Sequence, residues 1–210
     1  AKWKHLQYHA KRFFAPVAVM AVPADNDPSN IEVWAVNDRG APAKARAAVE
    51  LWGFDGRKLG VTTLAADLAP RSAQLLGRLP VADFGADEEL ERRFLEIVLT
   101  AAVGGKAETH RNEWYFNAFK RCDLGDALVD AIPARRGGKW TVTLTTDKPA
   151  FFVWANAGGV RGEFDDNSFA LFPGRPVTLT FTPKDPAATF EQFAQALTVR
   201  HLRQTYAGRK

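Results

Sequence analysis

Two histidines near the start of the chain have the spacing of metal ligands on a helix. His5 and His9 lie four residues apart, so a helix would bring both side chains to one face. No Asp or Glu is close to them in the sequence, and Lys4 and Lys11 would repel a cation. We therefore predict that the two histidines occupy solvated or core-facing helix positions and bind no metal.

Asp165, Asp166 and Asn167 form an acidic cluster with the composition of a calcium-binding loop. The twelve-residue spacing with a terminal Glu, which such a loop needs, is missing. Just before this cluster, residues 158–162 (GGVRG) are glycine-rich like a phosphate-binding loop, but they lack the Lys-Ser/Thr ending and lie between predicted strands. The sequence therefore predicts a hairpin and a turn here, with no metal and no cofactor.

The sequence contains no pattern of a catalytic centre. Gly-x-Ser-x-Gly does not occur, and the single cysteine, Cys122, lies in an apparent loop, where an inert thiol is the favoured interpretation. The 24 acidic residues could supply a carboxylate pair about 5–10 Å apart, as glycosidases use, but none of them lies in a motif that would mark such a pair. We predict no catalytic residue in this chain.

Six Trp and fifteen Phe allow a different hypothesis, because β-sandwiches that bind sugars pack pyranose rings on exposed aromatic side chains. Trp34, Trp52 and Trp154 all lie within predicted strands. Trp34 and Trp154 have apolar neighbours on both sides, which favours a place in a core or a domain interface. An exposed, coplanar row of these residues or Trp114 would instead indicate a carbohydrate-binding module.

The composition excludes several classes of protein. The chain has 210 residues, 46% hydrophobic and 25% charged, which is neither a disordered nor a low-complexity composition. No run approaches the roughly 20 apolar residues that cross a bilayer, and one cysteine cannot form an internal disulfide. A net charge of +4 is too weak to indicate nucleic acid. The compartment stays open, because one cysteine suits reducing and oxidising surroundings.

The secondary structure predicted around the candidate site residues is mainly β-strand. A helix is predicted over residues 2–14 and ends before Pro16. After it, apolar residues alternate with period two, and turn clusters recur every 8–12 residues or so, which is typical of antiparallel sandwiches. Asp55-Gly56 is the strongest hairpin signal. Further helix is expected only within residues 187–203.

A polar stretch at residues 104–111 is the predicted domain boundary. It divides the chain into an initial helix (1–16), a first sandwich (17–107) and a second sandwich (108–210). Each sandwich is expected to have roughly seven strands, and the fold class is all-β. The two parts are similar in architecture but show no sequence repeat.

Two stretches resemble one known family of enzymes. Residues 3–19 (WKHLQYHAKRFFAPVAV) resemble the end of the catalytic barrel of β-mannosidases in glycoside hydrolase family 2. Residues 149–181 resemble the closing immunoglobulin-like domain of the same enzymes, and FDDNSF at 164–169 is their most specific part. Residues 111–116 (RNEWYF) fit the entry strand of that final domain.

The resemblance implies two immunoglobulin-like sandwiches behind a remnant helix from a barrel that this chain does not contain. Such a barrel alone needs at least about 200 residues, so the family's catalytic glutamates have no counterpart here. The chain would be an accessory region whose partner is the barrel of a parent β-mannosidase. Asn167 is expected to define the fold rather than to touch substrate. Neither a nucleic acid nor a membrane is expected as a partner.

Three alternatives remain open at the level of the sequence. The same layout occurs in family 2 exo-β-glucosaminidases, so the parent's sugar is not determined. A carbohydrate-binding module for β-linked glycans and a free-standing partner-binding sandwich pair are the other two. Under the barrel hypothesis, Trp3, Leu6 and Tyr8 should be uncovered in this chain, whereas Phe13 and Phe14 should be buried against the first sandwich.

Overall fold

The computed structural model describes residues 3–206, and their contacts divide the chain into two compact units. The first unit comprises residues 11–123, and the second comprises residues 3–10 together with 124–206. A helix, α1 (His5–Phe13), contributes its first residues to the second unit and its last residues to the first. Within the described part of the chain, no helix is long and apolar enough to cross a membrane.

The first unit is a sandwich of two antiparallel sheets. Over residues 11–123 it has seven strands and an α-helical turn: β1 (Val17–Ala24), β2 (Asp27–Asn37), β3 (Ala43–Gly53), β4 (Lys58–Leu68), β5 (Ser72–Pro80), α2 (Asp87–Leu90), β6 (Arg93–Val103) and β7 (Lys106–Tyr115). Two 3-10 turns, Val81–Phe84 and Phe119–Arg121, complete it. One sheet has the order β1-β2-β5 and the other β4-β3-β6-β7. The predicted hairpin at Asp55-Gly56 joins β3 to β4, and Gly56 takes a positive φ of 93° there.

The core of the first unit follows from period-two alternation. Val17, Val19, Val33, Ile97 and Leu99 are buried in one cluster, to which strands of both sheets contribute. On β3 the buried members are mostly alanines, whose small side chains face the longer ones of β6 across the ladder. Burial of one face in each sheet fixes the register, because a one-residue slip would turn the apolar set to water.

The second unit is a sandwich with shorter strands. Over residues 124–206 it also has seven strands, with one further helix: β8 (Val129–Arg136), β9 (Lys139–Thr146), β10 (Ala150–Asn156), β11 (Gly162–Phe164), β12 (Phe169–Leu171), β13 (Val177–Pro183), α3 (Phe190–Ala196) and β14 (Thr198–Arg200). The sheets have the orders β11-β13-β9-β8 and β12-β10-β14. The all-β prediction is confirmed for both units. Helix was expected only within residues 2–14 and 187–203, but short helical turns also occur in the first unit, α2 among them.

Aromatic rings form much of the second core. Phe193 of α3 is fully buried and lies 4.7 Å, ring centre to ring centre, from Phe181 of β13. Phe164 and Trp140 complete the cluster, at 4.9 and 6.0 Å from Phe181. Thr189 caps α3, since its hydroxyl accepts the backbone N–H of Gln192.

The boundary between the units differs from the predicted one. Residues 107 and 108 lie inside β7, which pairs with β6 over ten residues and belongs to the first unit. The polar stretch read as a linker is the β6–β7 hairpin, in which Gly104 and Gly105 have positive φ. Residues 111–116 therefore belong to the first sandwich and do not open the second.

The prediction for the ends of the first helix was wrong. Tyr8 is buried with 3% of its surface exposed, whereas Phe13 and Phe14 are 55% and 79% exposed. Leu6 is 70% exposed and Trp3 is partly exposed, as expected. Tyr8 is buried because it packs within the second unit, where its hydroxyl has a hydrogen-bond partner. The rings of Phe13 and Phe14 contact each other at 4.8 Å.

Candidate functional site

The two histidines of α1 converge on a single serine of the second unit. Ser168 Oγ lies 2.7 Å from Nδ1 of His5 and 3.1 Å from Nε2 of His9. A hydroxyl carries one proton, so it donates to one imidazole and accepts an N–H from the other. The i, i+4 spacing therefore serves a hydrogen-bonded bridge, and no group of three or more metal-ligating side chains occurs among residues 3–206.

Aromatic contacts fix α1 beside this bridge. The ring of His5 stacks on Trp154 of β10 at 4.0 Å, and Tyr8 meets the same indole edge-on at 5.7 Å. The Tyr8 hydroxyl donates to the backbone carbonyl of Phe164 at 3.3 Å. His9 contacts Phe152. The polar face of α1 that appeared solvated in the sequence is thus its contact surface with the second unit.

Residues 165–168, here called the docking turn, are held by hydrogen bonds to the neighbouring strands. Buried Asn167 accepts the N–H of Ala155 at Oδ1 and donates from Nδ2 to the carbonyl of the same residue, both at 2.8 Å. Ser168 donates its backbone N–H to Val153 and has a positive φ of 56°. Asn167 thereby acts like an extra strand residue opposite β10, which agrees with its predicted structural role.

The two aspartates of the docking turn bond to the backbone. Asp165 accepts the N–H of Thr180 at 2.8 Å, and Asp166 accepts the N–H of Asn167 at 2.8 Å. One oxygen of each carboxylate, Oδ1, is therefore engaged by the backbone. The glycine-rich stretch before the turn connects β10 to β11, which lie in different sheets, so it is not the predicted hairpin. A Cβ on Gly162 would overlap the ring of Phe181.

Burial and charge set the electrostatics of this site. Burial lowers the pKa of His5, so its neutral imidazole is favoured as the hydrogen-bonding form. Burial also raises the pKa of Tyr8, and Glu163, Asp166 and Asp165 add to this by repelling a phenolate. Both rings therefore stay uncharged near neutral pH.

A serine between two histidines is also the arrangement of an activated nucleophile. Ser168 is fully buried, however, so its hydroxyl cannot meet a substrate. A cavity beside the docking turn has a volume of about 20 Å³, which is room for a water molecule, and it is lined by Trp3, Tyr8, Trp154 and Asn167 among others. The geometry can position α1 but cannot bind a sugar or perform acyl transfer.

Sequence reasoning missed a row of carboxylates in the first unit. Glu50, Glu96 and Glu113 are directly opposite one another on β3, β6 and β7. Burial, followed by the charge of Glu96, raises the pKa of Glu113 to about 7. Arg111 bonds Glu96 at 2.6 Å and partly offsets this repulsion. Only the register of the strands reveals the row, because the three residues are 46 and 17 positions apart in sequence.

The tryptophans weighed as a sugar platform do not share one surface. Trp34 lies in the β1-β2-β5 sheet and donates to Glu32 at 2.8 Å, whereas Trp52 lies in the other sheet and donates to Glu50 at 3.1 Å. Trp154 is in the second unit, against α1. Trp114 lies on β7 and packs against the core of the first unit. Cys122 is half-buried, and burial raises the pKa of its thiol to about 11, which agrees with an inert role.

Comparison with known families identifies both units. Residues 29–121 match the family described as the mannosidase Ig/CBM-like domain, and residues 124–205 match an Ig-fold domain family of mannosidases. The two matches meet at the boundary between the units, at residues 121–124.

Whole-chain comparisons find β-mannosidases. The β-mannosidase of Capra hircus is 24% identical over 209 residues, which is 98% of this chain and 23% of that protein. The β-mannosidase of Rattus norvegicus is also 24% identical, with the same coverage. The chain therefore spans about a quarter of the length of the curated relatives it matches.

Solved structures show the same fold. A β-D-mannosidase from Dictyoglomus thermophilum has a TM-score of 0.71 at 19% identity, over 92% of this chain and 22% of that one. An exo-chitosanase from Amycolatopsis orientalis has a TM-score of 0.60 at 18% identity, over 93% of this chain and 26% of that one.

Proposed function

Because this chain belongs to the immunoglobulin-like domain families of the mannosidases, we propose that it is the C-terminal accessory region of a β-mannosidase-like family 2 glycoside hydrolase. The observation that carries the proposal is the succession of two mannosidase domain matches, at residues 29–121 and 124–205. The parent enzyme would hydrolyse terminal, non-reducing β-mannosyl residues in a catalytic barrel outside this chain. The two sandwiches would support that barrel and take no part in the chemistry.

The exposed side of α1 supports a barrel as the partner. Leu6, Ala10 and Phe13 follow one helix face at i, i+4 and i+7, and Leu6 and Phe13 are mostly exposed. The opposite side of the helix is occupied by the contacts of His5 and Tyr8 described above. A helix that is docked on one side and apolar on the other suits a connector packed between two bodies.

The carboxylates of the chain support a non-catalytic role. Glu96 is fully buried, so the Glu96–Glu113 pair lacks the access that a glycosidase acid and base require. Glu50 is engaged by Lys58 at 2.6 Å and by Trp52. The row is therefore interpreted as structural.

The test begins with the gene sequence upstream of Ala1, which should encode a (β/α)8 barrel. In the enzyme expressed from that full gene, Leu6→Ser and Phe13→Ser should each lower the Tm and the hydrolysis of nitrophenyl β-mannoside. Leu59→Ser is the matched control, because Leu59 is an exposed leucine on β4. The 210-residue chain alone should release no nitrophenol.

Two outcomes would contradict the proposal. One is an upstream sequence without a barrel. The other is nitrophenol release by the chain alone that is lost when one of its own glutamates is replaced, since activity would then reside here.

An exo-β-glucosaminidase parent is the second candidate, and the fold shared with the exo-chitosanase favours it. The sandwiches would play the same supporting role in either parent. The full enzyme decides between them: faster hydrolysis of nitrophenyl β-glucosaminide than of the β-mannoside would select the second candidate.

A further inference from the structure

His110 connects three elements of the first unit. It lies on β7 and is buried, with 8% of its surface exposed. Its Nδ1 lies 3.2 Å from the backbone nitrogen of Val19 on β1, and its Nε2 lies 3.0 Å from the carbonyl oxygen of Arg12 in the last turn of α1. All three residues belong to the first unit.

The two partners fix the protonation state of the ring. The N–H of Val19 can only donate, so Nδ1 of His110 must accept and carries no proton. The carbonyl of Arg12 can only accept, so Nε2 must carry the proton. Both contacts together therefore require a neutral imidazole. A second proton would place an N–H of the ring against the N–H of Val19, and that bond would be lost.

The bond to Val19 joins the edges of the two sheets. β1 stands at the end of the order β1-β2-β5, and β7 stands at the end of β4-β3-β6-β7, so both are edge strands. An edge strand has backbone N–H groups without a partner strand. At Val19, a side chain of the opposite sheet accepts this N–H instead. The hold on the edge of β1 at this point therefore depends on a neutral His110.

The charged groups around His110 are few. Arg12 acts on the ring from α1, and β1 contains no ionisable residue. Arg111 on β7 and Glu96 on β6 lie on the opposite face of their sheet and bond to each other at 2.6 Å. Glu108, two residues away on the same face of β7, is held in an ion pair. No unpaired carboxylate of these elements therefore faces the ring to stabilise an imidazolium.

Two effects oppose an imidazolium in this place. Burial lowers the pKa of His110, and the charge of Arg12 lowers it further, which outweighs the opposite effect of the bond to the Arg12 carbonyl. A ring that leaves its place regains water and its ordinary pKa of about 6.5. Proton uptake below that pH therefore favours the state in which the ring has left Val19.

We propose that His110 is a pH-operated clamp, which holds the edge of β1 through the N–H of Val19 at neutral pH and releases it in mild acid. The stabilisation of this edge is fully present above about pH 7 and decreases as the pH falls through the ordinary pKa of histidine. The clamp rests on contacts within the first unit and does not depend on the accessory role proposed above.

The test measures hydrogen exchange of the Val19 amide by NMR in the full 210-residue chain. Each rate is expressed as a protection factor, relative to the rate of an unfolded chain at the same pH. From pH 7.5 to 5.5 the protection factor of Val19 should fall by up to about tenfold, because the released ring takes up one proton. Val49 in β3 is the reference, and its protection factor should fall at least about threefold less.

Variants then isolate the ring. His110→Gln keeps one acceptor and one donor but does not titrate, so Val19 should stay protected and the pH dependence should disappear. His110→Phe removes both bonding atoms, so Val19 should be about threefold to tenfold less protected even at pH 7.5, the equivalent of one hydrogen bond.

His201→Gln is the matched control. His201 is also buried, and its Nε2 lies 3.1 Å from the carbonyl oxygen of Ala127 in the second unit. Burial lowers its pKa as it lowers that of His110. Its replacement removes a comparable histidine away from β1, so the pH dependence at Val19 should be that of the unaltered chain.

The clamp is overturned if Val19 keeps the same protection factor from pH 7.5 to 5.5. It is equally overturned if Val49 loses as much protection as Val19, since acid would then loosen the whole unit, or if His110→Gln folds and keeps the pH dependence. If His110→Gln does not fold, the NMR titration of the His110 ring decides. Its protonation should follow the loss of protection at Val19, and a ring that titrates without any change at Val19 contradicts the proposal.

Discussion

The two sandwiches have equal numbers of strands among the described residues but are stabilised by different means. In the first, β3 and β6 are each 11 residues long and pair over that whole length. Most side chains of the main core cluster there are aliphatic or alanine, and buried Phe94 stacks on Phe54. In the second, β11, β12 and β14 have three residues each, and aromatic rings around Phe193 fill the core.

The difference shows what short strands require. A three-residue strand supplies few backbone hydrogen bonds, so side chains of the second unit complete the pairing. Asn167 occupies both backbone groups of Ala155, and the Asp165 carboxylate accepts the N–H of Thr180. In the second unit, hydrogen bonds from the side chains of turn residues therefore replace part of the backbone pairing that long strands provide in the first unit.

The core of each unit offers the strongest test of this contrast. Phe193→Ala should destabilise the chain by about 3–5 kcal/mol, because the ring is fully buried and contacts Phe181, Phe164 and Trp140. Leu99→Ala, at a fully buried aliphatic position of the first core, should cost about 2–4 kcal/mol. Urea unfolding of both variants measures the two losses. A larger loss at Leu99 would refute the idea that the aromatic cluster compensates for short strands.

The docking turn should be the next most sensitive feature. Asn167→Ala leaves the N–H and the carbonyl of Ala155 without partners in a buried place, which should cost about 2–3 kcal/mol. Asp185→Ala is the control, since Asp185 accepts one backbone N–H in an exposed turn and its loss should cost below about 1 kcal/mol. Thermal or urea unfolding measures the loss of stability in the Asn167→Ala and Asp185→Ala variants. Similar losses in both variants would mean that the amide does not complete the sheet.

The carboxylate row gives the first unit a pH dependence of stability that is opposite in sign to that of the buried histidines. The pKa of Glu113 is about 7 in the folded chain against 4.5 when unperturbed, so the folded state holds this proton more tightly. The stability that protonated Glu113 contributes is fully present below about pH 4.5, and it is lost as the pH rises through 7. Glu113→Gln should remove that loss, which is about 3 kcal/mol at most.

The free energy of unfolding, measured from about pH 5 to 8 for the unaltered chain and for Glu113→Gln, isolates the effect of Glu113. Burial lowers the pKa of His5 and His110, and these groups favour folding as the pH rises. They are present in both proteins, so their effect cancels in the difference between the two stability curves. Parallel curves for the unaltered chain and Glu113→Gln would show that the pKa of Glu113 is ordinary.

Much of the fold could be predicted from the sequence, because period-two alternation and turn residues act locally. Asp55-Gly56 predicted its hairpin, and Val177–Pro183 its half-buried strand. The boundary could not be predicted in the same way. A polar glycine pair is equally suited to a hairpin and to a linker, and only the pairing of β7 with β6 distinguishes them.

The site was harder to predict because it depends on contacts between distant residues. The spacing of His5 and His9 placed them on one face of α1, but Ser168 lies about 160 positions away. Asn167 was predicted to be structural from its turn propensity, although its partner Ala155 was not identified. Glu96 and Glu113 lie opposite each other on paired strands. The sequence does not reveal this contact, because it does not give the register of the two strands.

The bridge between α1 and the docking turn should contribute a smaller stability than the turn itself. Ser168→Ala removes the hydroxyl shared by His5 and His9, and it should cost about 1 kcal/mol, because the stacking of His5 on Trp154 remains. NMR titration of the two histidines gives a second measure, since their chemical shifts should change in the variant. Unchanged shifts and stability would show that the helix is held by its aromatic contacts alone.

The smallest effect is expected at the other end of the same helix. Phe14 is 79% exposed, so Phe14→Ala in this chain should change the free energy of unfolding by less than about 0.5 kcal/mol. The sequence-based expectation was a buried residue and a loss of about 3 kcal/mol. Trp3→Ala, at a partly exposed position in contact with Tyr8, should cost below about 1 kcal/mol but more than Phe14→Ala. Urea unfolding of the pair tests this order. The order is expected because residues in the first turns of α1 have partners in the second unit, whereas Phe14 is mostly exposed. A loss at Phe14 larger than that at Trp3 would reverse the order and place the helix's main attachment at its C-terminal end.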